Sequence, residues 1–306
     1  MTKYIVSGYI GFDNFGDEAI QKVLTEKLKK EGAEKITLIS SNPSKTSRLY
    51  NVESCGMLDF IKPMVESDVL ISGGGSLLQD VTSLKSLIYY LGVIYTAFLF
   101  NKKVEIFAQG IGPINSKIGQ FFTKFALKQA DKISVRDEKS QKLLKQWGIE
   151  SELVNDPILD LDLKSKNKQG KIGVQLREFK DLNEDFMVDL AEVIKNRFYD
   201  KEISLISLQD AYDVKILEKF KKILADIGVT NVKIKKNLNV NDVIEEILDL
   251  EFLIAMRFHA CVIGAKAGID TICINYDPKV ESLAQRFNLK LINLSDNVKE
   301  IFKSPI

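Results

Sequence analysis

The sequence has 306 residues, of which 45% are hydrophobic and 28% charged, and its formal net charge is +1. This composition is typical of a globular protein that is long enough to form two hydrophobic cores. The near-neutral charge, with lysine and arginine spread along the whole chain, argues against nucleic acid as the main partner.

The class of protein is narrowed further by the cysteines, the single histidine and the first residues of the chain. Cys55, Cys261 and Cys273 are too few and too scattered for a disulfide framework. Because the chain has a single histidine and no cysteine cluster, a zinc site is not expected. The segment Met1–Gly8 predicts a first strand rather than a signal peptide, so we expect a cytoplasmic protein.

In the first half of the chain, apolar strands alternate with helical patterns. The predicted strands are 4–7, 36–39, 69–72, 104–108 and 132–135. The predicted helices are 17–30, 83–100, 117–129 and 138–147. The most apolar run, 87–100, is shorter than the roughly 18–20 residues that cross a bilayer. It favours a core helix, with contact to a lipid-linked partner as the alternative.

The alternation restarts after a polar stretch at 160–171, which predicts a linker. The next predicted strands are 172–176, 203–208, 232–235, 252–255 and 271–274. The next predicted helices are 184–198, 214–227, 240–248, 259–267 and 280–287. This order predicts an α/β protein with two Rossmann-like, doubly wound domains, 1–165 and 170–294, that face each other across a cleft. Residues 295–306 would include a helix that packs back on the first domain.

Ligands of open α/β sheets bind where strands end, and two loops of the first half stand out there. The loop after the first strand carries Asn14, Asp17 and Glu18, which suit sugar hydroxyls. Its simpler interpretation is a glycine-rich loop in which Asp17 caps the following helix. The pattern is neither the dinucleotide fingerprint nor a P-loop, so a dehydrogenase is poorly supported.

The second loop contains Gly73, Gly74 and Gly75, followed by Gln79. Three glycines after a buried strand predict exposed backbone N–H groups that bind an anion or a sugar oxygen, with a plain turn as the alternative. Gln109 and Arg136 end two further strands and are expected at the same edge. For Arg136, an ion pair with Asp137 or Glu138 is an equally good interpretation.

The second half places cations at strand ends. Arg177 follows one predicted strand, and Arg257 follows another as part of Arg257-Phe258-His259, which contains the only histidine. Two guanidinium groups suit a small anion that carries carboxylate and phosphate, and a histidine can transfer protons near neutral pH. The alternative is a packed histidine beside a solvated arginine. Tyr276 and Lys279 follow a third strand, where Lys279 would add a cation or merely follow an Asp–Pro helix start.

These motifs together resemble the polysaccharide pyruvyl transferase family, and most of all its CsaB-type branch. The segments that carry the resemblance are Gly8–Glu18, Ser72–Asp80, Ala108–Pro113, Ser134–Asp137, Arg257–His259 and Tyr276–Lys279. The resemblance implies a fold like the two-domain GT-B glycosyltransferases. It also implies transfer of pyruvate from phosphoenolpyruvate onto two hydroxyls of one sugar, which forms a cyclic ketal and releases phosphate.

For the CsaB-type branch, the implied acceptor is an N-acetylmannosamine residue of a lipid-diphosphate-linked precursor of the secondary cell wall polysaccharide that anchors S-layer proteins. The catalytic residues implied are Arg257, His259 and Arg177. The first domain would bind the sugar, no cofactor or metal is required, and a lipid-linked acceptor would demand peripheral contact with the inner face of the membrane.

Two other functions stay open at this point. One is a GT-B nucleotide-sugar glycosyltransferase, which a nucleotide sugar rather than phosphoenolpyruvate would stabilise. The other is a non-catalytic sugar-binding protein of wall assembly, which would bind the acceptor but release no phosphate.

Overall fold

The structure, a computed structural model, describes residues 1–166 and 170–302. The chain forms two compact units, Met1–Leu161 and a second that begins at Asp162. Each unit is a parallel β-sheet flanked by α-helices.

The sheet of the N-terminal unit has seven strands in the order β3-β2-β1-β4-β5-β6-β7. The strands are β1 (Lys3–Ser7), β2 (Lys35–Ser40), β3 (Glu53–Gly56), β4 (Val69–Gly73), β5 (Lys103–Gln109), β6 (Lys132–Val135) and β7 (Glu152–Leu153). The helices are α1 (Phe15–Lys30), α2 (Pro43–Tyr50), α3 (Ile61–Glu66), α4 (Leu84–Leu99), α5 (Lys117–Gln129) and α6 (Glu138–Gln146).

The sheet of the C-terminal unit has six strands in the order β10-β9-β8-β11-β12-β13. The strands are β8 (Lys171–Gln175), β9 (Glu202–Ile206), β10 (Val232–Lys235), β11 (Phe252–Ala255), β12 (Asp270–Asn275) and β13 (Lys290–Asn293). The helices are α7 (Glu184–Phe198), α8 (Asp210–Asp226), α9 (Val240–Leu248), α10 (Phe258–Ala267), α11 (Pro278–Phe287) and α12 (Val298–Ile301).

The central strands form because their apolar runs are buried on both faces of a sheet that helices cover. Strands β4 and β11 are buried along their whole length. Each unit has a core of its own, built from the central strands and the apolar sides of the helices. The doubly wound α/β topology predicted for both halves is therefore confirmed.

The run 87–100 lies in α4, and six of its side chains are buried in the core of the N-terminal unit. The interpretation as a core helix is confirmed. No helix in the described ranges is both long and apolar enough to cross a membrane.

The last described segment differs from its prediction. Helix α12 packs against α7, and Val298 and Phe302 belong to the core of the C-terminal unit. Helix α12 therefore packs on the C-terminal unit, whereas the sequence predicted a helix that packs on the N-terminal unit. Residues 303–306 of this segment, and 167–169 of the predicted linker, lie outside the described residues.

Candidate functional site

The strand order of the C-terminal sheet places Arg177 and Arg257 beside each other. The chain adds β9 and β10 on one side of β8 and then turns to the other side with β11, so the topological switch point lies between β8 and β11. Gln175 pairs with Ala255 in the parallel register, and each arginine follows its strand by two residues. Ligands of open α/β sheets bind at this point. Arg177 and Arg257 thus lie at strand ends, where the sequence pattern placed them.

Arg257 is held by the carboxylate of Asp213, a residue that the sequence pattern did not indicate. Its Nε lies 3.0 and 2.9 Å from the two carboxylate oxygens of Asp213, and its Nη2 lies 2.6 Å from Oδ1. The Asp213 side chain is completely buried and that of Arg257 is 12% exposed. Arg257 is therefore not a solvated cation, because a buried carboxylate fixes its plane and neutralises its charge.

The surroundings of Asp213 fix the carboxylate in turn. The backbone N–H groups of Leu208 and Gln209 donate to Asp213 Oδ2 over 3.0 and 3.1 Å. The Gln175 side chain accepts from the Arg257 backbone N–H over 2.7 Å. Asp213 lies on the buried side of α8 with Leu217 and other apolar residues, so an acid within an apolar helical stripe was the signal that could have revealed it.

Arg177 is positioned by an aromatic ring instead of an acid. Its guanidinium carbon lies 5.0 Å from the centre of the Tyr276 ring, and Nη1 donates to the Tyr276 hydroxyl over 3.4 Å. Phe179 packs edge-on against Tyr276 at 5.5 Å. Within the described ranges, no carboxylate forms an ion pair with Arg177, and its buried Nε has no hydrogen-bond partner. Arg177 thus keeps its full positive charge.

His259 lies in the first turn of α10, which Arg257 precedes as the N-terminal flanking residue. The imidazole is half-buried and edge-on to the Phe258 ring at 5.2 Å. The first turn of a helix presents backbone N–H groups and a positive dipole end, which favour an anion. Arg177, Arg257 and His259 are thus all located at the carboxyl end of neighbouring strands.

Lys279 is exposed in the first turn of α11, where Asp277 accepts its backbone N–H over 2.9 Å and Pro278 is the first helical residue. The simpler interpretation, an Asp–Pro helix start, therefore holds for this segment. Tyr276 contributes through Arg177, as described above.

In the N-terminal unit the switch point lies between β1 and β4, where the two predicted loops begin. Asn14, rather than Asp17, caps α1, since its side chain accepts from Gly16 N over 3.1 Å. Asp17 lies in the first turn, and a Cβ on Gly75 would come 2.5 Å from its Oδ1. Asn14 and Asp17 are partly exposed, as residues that contact a ligand must be.

Glu18 has a different role from the one expected. Its carboxylate is buried and accepts from Gly11 N over 2.7 Å and from the Tyr50 hydroxyl. Burial raises the pKa of this carboxyl, although both hydrogen bonds act in the opposite direction. Glu18 therefore fixes the glycine loop and offers no surface to a sugar.

The glycine run is also more enclosed than predicted. Gly73, Gly74 and Gly75 are all buried, and Gly74 N donates to the Phe107 carbonyl over 2.9 Å. Gly74 and Gly75 have φ angles of 73° and 64°, which glycine adopts without strain. The expectation of exposed N–H groups is wrong for Gly74, because the neighbouring strand uses that group.

The remaining predicted residues mostly stabilise the fold. Gln109 is fully buried and donates to Ser72 Oγ over 2.9 Å, and Gln79 forms its hydrogen bonds with Thr82 in a local turn. Arg136 forms an ion pair, as one interpretation held, but with Asp156 at 2.7 Å rather than with its neighbours in sequence.

In residues 1–166 and 170–302, no three His, Cys, Asp or Glu side chains form a group that could hold a metal ion.

The fold has relatives among solved structures. The UDP-GlcNAc 2-epimerase of Neisseria meningitidis bound to UDP-GlcNAc superimposes with a TM-score of 0.65 at 10% identity, covering 99% of this chain and 90% of that one. A glycosyltransferase of Rickettsia africae ESF-5 gives 0.65 at 13% identity, with 99% and 87% covered. Anabaena Alr3699/HepE in complex with UDP and glucose gives 0.63 at 11% identity, with 98% and 89% covered. This likeness shows the fold, which is that of the GT-B epimerases and glycosyltransferases.

The family is shown by sequence. Residues 14–278 match the model of the polysaccharide pyruvyl transferase family, so the chain belongs to that family. No curated protein sequence gives a significant match to the chain.

Proposed function

We propose that this protein transfers pyruvate from phosphoenolpyruvate onto two hydroxyls of a sugar and releases phosphate. The observation that carries the proposal is the pair of arginines at adjacent strand ends, with His259 in the helix turn that follows one of them. Phosphoenolpyruvate offers a carboxylate and a phosphate, and two guanidinium groups bind such a pair through parallel hydrogen bonds.

The two arginines contribute differently. Arg177 supplies the net positive charge that attracts the anion. Arg257 supplies a hydrogen-bond donor of fixed orientation. Asp213 binds its Nε and Nη2, and the described hydrogen bonds leave Nη1 for a ligand. A rigid donor aimed at an anion stabilises developing charge without reorganisation cost.

The reaction that this arrangement serves has two steps. One sugar hydroxyl adds to C2 of the enol, and C3 takes a proton to become a methyl group. The second hydroxyl then replaces the phosphate at the same carbon, which closes the ketal, and its proton leaves with the phosphate. His259 is the group that we assign to proton transfer in these steps, since histidine is suited to this task near neutral pH.

On the side of the acceptor, we propose Asn14 and Asp17 as sugar-binding residues, because they are the partly exposed polar groups at the switch point of the N-terminal unit. The CsaB-type acceptor, an N-acetylmannosamine unit of a lipid-diphosphate-linked wall polymer precursor, is the substrate that we propose. Use of this acceptor would bring the protein to the inner face of the membrane.

The proposal is tested by phosphate release from phosphoenolpyruvate in the presence of acceptor. His259→Ala should abolish release while the melting temperature stays within a few degrees of the wild type. Arg177→Lys is the matched control for Arg177→Ala, because it keeps the charge and loses the planar guanidinium. Full activity of His259→Ala would show that the assignment of proton transfer is wrong.

A nucleotide-sugar glycosyltransferase is the second candidate, and the fold shared with proteins solved with UDP or UDP-GlcNAc favours it. Thermal unfolding separates the two functions, since a ligand present at 100 times its Kd stabilises by about 2.7 kcal/mol. Stabilisation by phosphoenolpyruvate that Arg177→Ala removes supports pyruvyl transfer, whereas stabilisation by a UDP-sugar alone would reject it. Binding of acceptor without phosphate release would indicate a sugar-binding protein.

A further inference from the structure

The N-terminal unit carries an exposed apolar stripe on α5. Ile118, Phe121, Phe122 and Phe125 are 71%, 65%, 45% and 51% exposed, although large apolar side chains are ordinarily buried. Their spacing of three and four residues aligns them along one side of the helix. We call these four residues the aromatic face.

The aromatic face is not a frayed segment of a loosely packed helix. The opposite side of α5 is buried through Gly119, Thr123, Ala126 and Leu127. Tyr95 of α4 stacks on Phe125 with ring centres 6.4 Å apart and donates to the Phe122 carbonyl over 2.8 Å. The exposed rings are therefore held in place on two packed helices.

Exposed apolar side chains are also unevenly distributed. Among the described residues, most of the large apolar side chains that are exposed lie between Leu58 and Phe125. The C-terminal unit contributes Tyr199 and Tyr212. The four residues of the aromatic face adjoin one another on a single helix, and adjoining exposed apolar side chains mark a site of interaction.

Lysines border the aromatic face. Lys117, Lys124 and Lys128 are spaced by seven and four residues, so they run along the same side of α5 as Phe121. Helices α4 and α5 contain no aspartate or glutamate, and residues 82–130 have six lysines against one glutamate, a net charge of +5. In the described part of the chain, no carboxylate forms an ion pair with the three lysines of α5.

We infer that the aromatic face and its lysines bind the surface of an anionic lipid bilayer. A helix with aromatic residues on one side and lysines beside them lies in the plane of the membrane interface, where the rings enter the acyl boundary and the cations meet the phosphates. This inference rests on the proposed function, because membrane binding would bring the protein to a lipid-linked acceptor.

The charges favour a bilayer over a second copy of the chain. A two-fold interface through α5 would bring the same row of lysines from both copies together, and the helix has no acid to pair with them. An anionic bilayer instead supplies the complementary charge to every lysine.

The test is sedimentation of the whole protein with vesicles of phosphatidylcholine, with and without 30 mol% phosphatidylglycerol (about 0.1 M salt, Debye length about 10 Å). We expect binding to the anionic vesicles alone. Lys117→Gln/Lys128→Gln should lower the partition coefficient by about 25-fold, or about fivefold for each lysine. Phe121→Ser/Phe125→Ser should lower it on the order of tenfold.

Matched controls come from the C-terminal unit. Tyr199→Ser/Tyr212→Ser removes two exposed aromatic rings, and Lys195→Gln/Lys221→Gln removes two exposed lysines. Both control variants should bind as the wild type does, and melting temperatures show that all four variants are folded.

The inference is overturned by equal binding of the α5 and control variants, or by binding that is independent of phosphatidylglycerol. It is also overturned if the wild type binds no vesicles but forms a dimer, by light scattering, that Phe121→Ser/Phe125→Ser dissociates. Vesicle binding requires no phosphoenolpyruvate. Binding without phosphate release would therefore uphold the surface while the proposed reaction fails.

Discussion

Replacing Asp213 should destabilise the protein far more than a typical single substitution. Asp213 is completely buried and forms an ion pair with Arg257, whose side chain is 12% exposed. Breaking a buried pair from one side costs about 3–5 kcal/mol, because the remaining charge has no partner. Since Arg257 retains a little contact with water, we expect about 3 kcal/mol for Asp213→Asn, which lowers the melting temperature by about 6–12 °C.

The assay is a double-mutant cycle measured by urea unfolding. Arg257→Met leaves the completely buried Asp213 carboxylate unpaired, so it should cost at least as much as Asp213→Leu, which leaves an arginine that is 12% exposed. The double variant Arg257→Met/Asp213→Leu removes both charges and should cost less than the two single substitutions together by about 2 kcal/mol. Additive losses, within about 0.5 kcal/mol, would refute the view that the two side chains form one buried ion pair.

The other predictions concern the loops and the second arginine. Glu18→Gln should be more stable than the wild type at pH 8, and this advantage should shrink as the pH falls. Burial raises the pKa of Glu18, so the folded protein favours the protonated carboxyl, and the wild type gains stability in acid. Urea unfolding between pH 8 and 5 measures this change, and an unchanging difference would contradict it. Gly74→Ala should destabilise by several kcal/mol, because its Cβ would lie 2.4 Å from an Ile20 carbon; Gly148→Ala, with a similar φ of 68° and open space, should lose only about 1–2 kcal/mol. Equal losses would show that the steric argument is wrong. Tyr276→Phe should change the KM for phosphoenolpyruvate less than threefold, because the long 3.4 Å hydrogen bond is weak. Tyr276→Ala, which removes the stacking under Arg177, should raise it about 2- to 30-fold; equal effects of the two variants would mean that the hydroxyl, not the ring, positions Arg177.

The central architecture could be predicted from sequence because parallel strands buried on both faces are continuous apolar runs. The segments Val69–Gly73 and Phe252–Ala255 are of this kind, and the structure has strands there. The elements that were missed are short and peripheral. Strand β3 is partly exposed and contains Ser and Gly, and β7 has two exposed residues, so neither has the apolar pattern that reveals a strand.

The location of the candidate site could also be predicted, since strand ends follow from strand positions. Arg177 and Arg257 lie where the pattern placed them. The pairing of side chains from distant segments could not be predicted, because a sequence does not show which faces meet. Asp213 is 44 residues from Arg257, and Tyr50 is 32 residues from Glu18. As a result, Glu18, which the sequence predicted to bind a sugar, is instead a buried residue that stabilises the fold.

Of the two arginines, only Arg257 is neutralised by a carboxylate of the described residues, and this difference affects the proposed reaction. Arg257 and Asp213 together carry no net charge, so Arg177 supplies the excess positive charge at the switch point. Arg177→Ala removes that charge but leaves the neutral pair intact. Arg257→Ala also removes one positive charge, and it leaves the negative charge of Asp213 unpaired beside the strand ends where we propose that the anion binds. If phosphoenolpyruvate binds here, Arg257→Ala should weaken binding more than Arg177→Ala does.

Removing the unpaired Asp213 carboxylate as well distinguishes the effect of its charge from the loss of the guanidinium group. Arg257→Met/Asp213→Leu should bind phosphoenolpyruvate more tightly than Arg257→Met alone, although it has lost the same guanidinium group. The measurement is the Kd by calorimetry for the four proteins of the cycle. A double variant that binds no better than Arg257→Met would mean that Asp213 acts only on stability, and that the anion lies away from this pair.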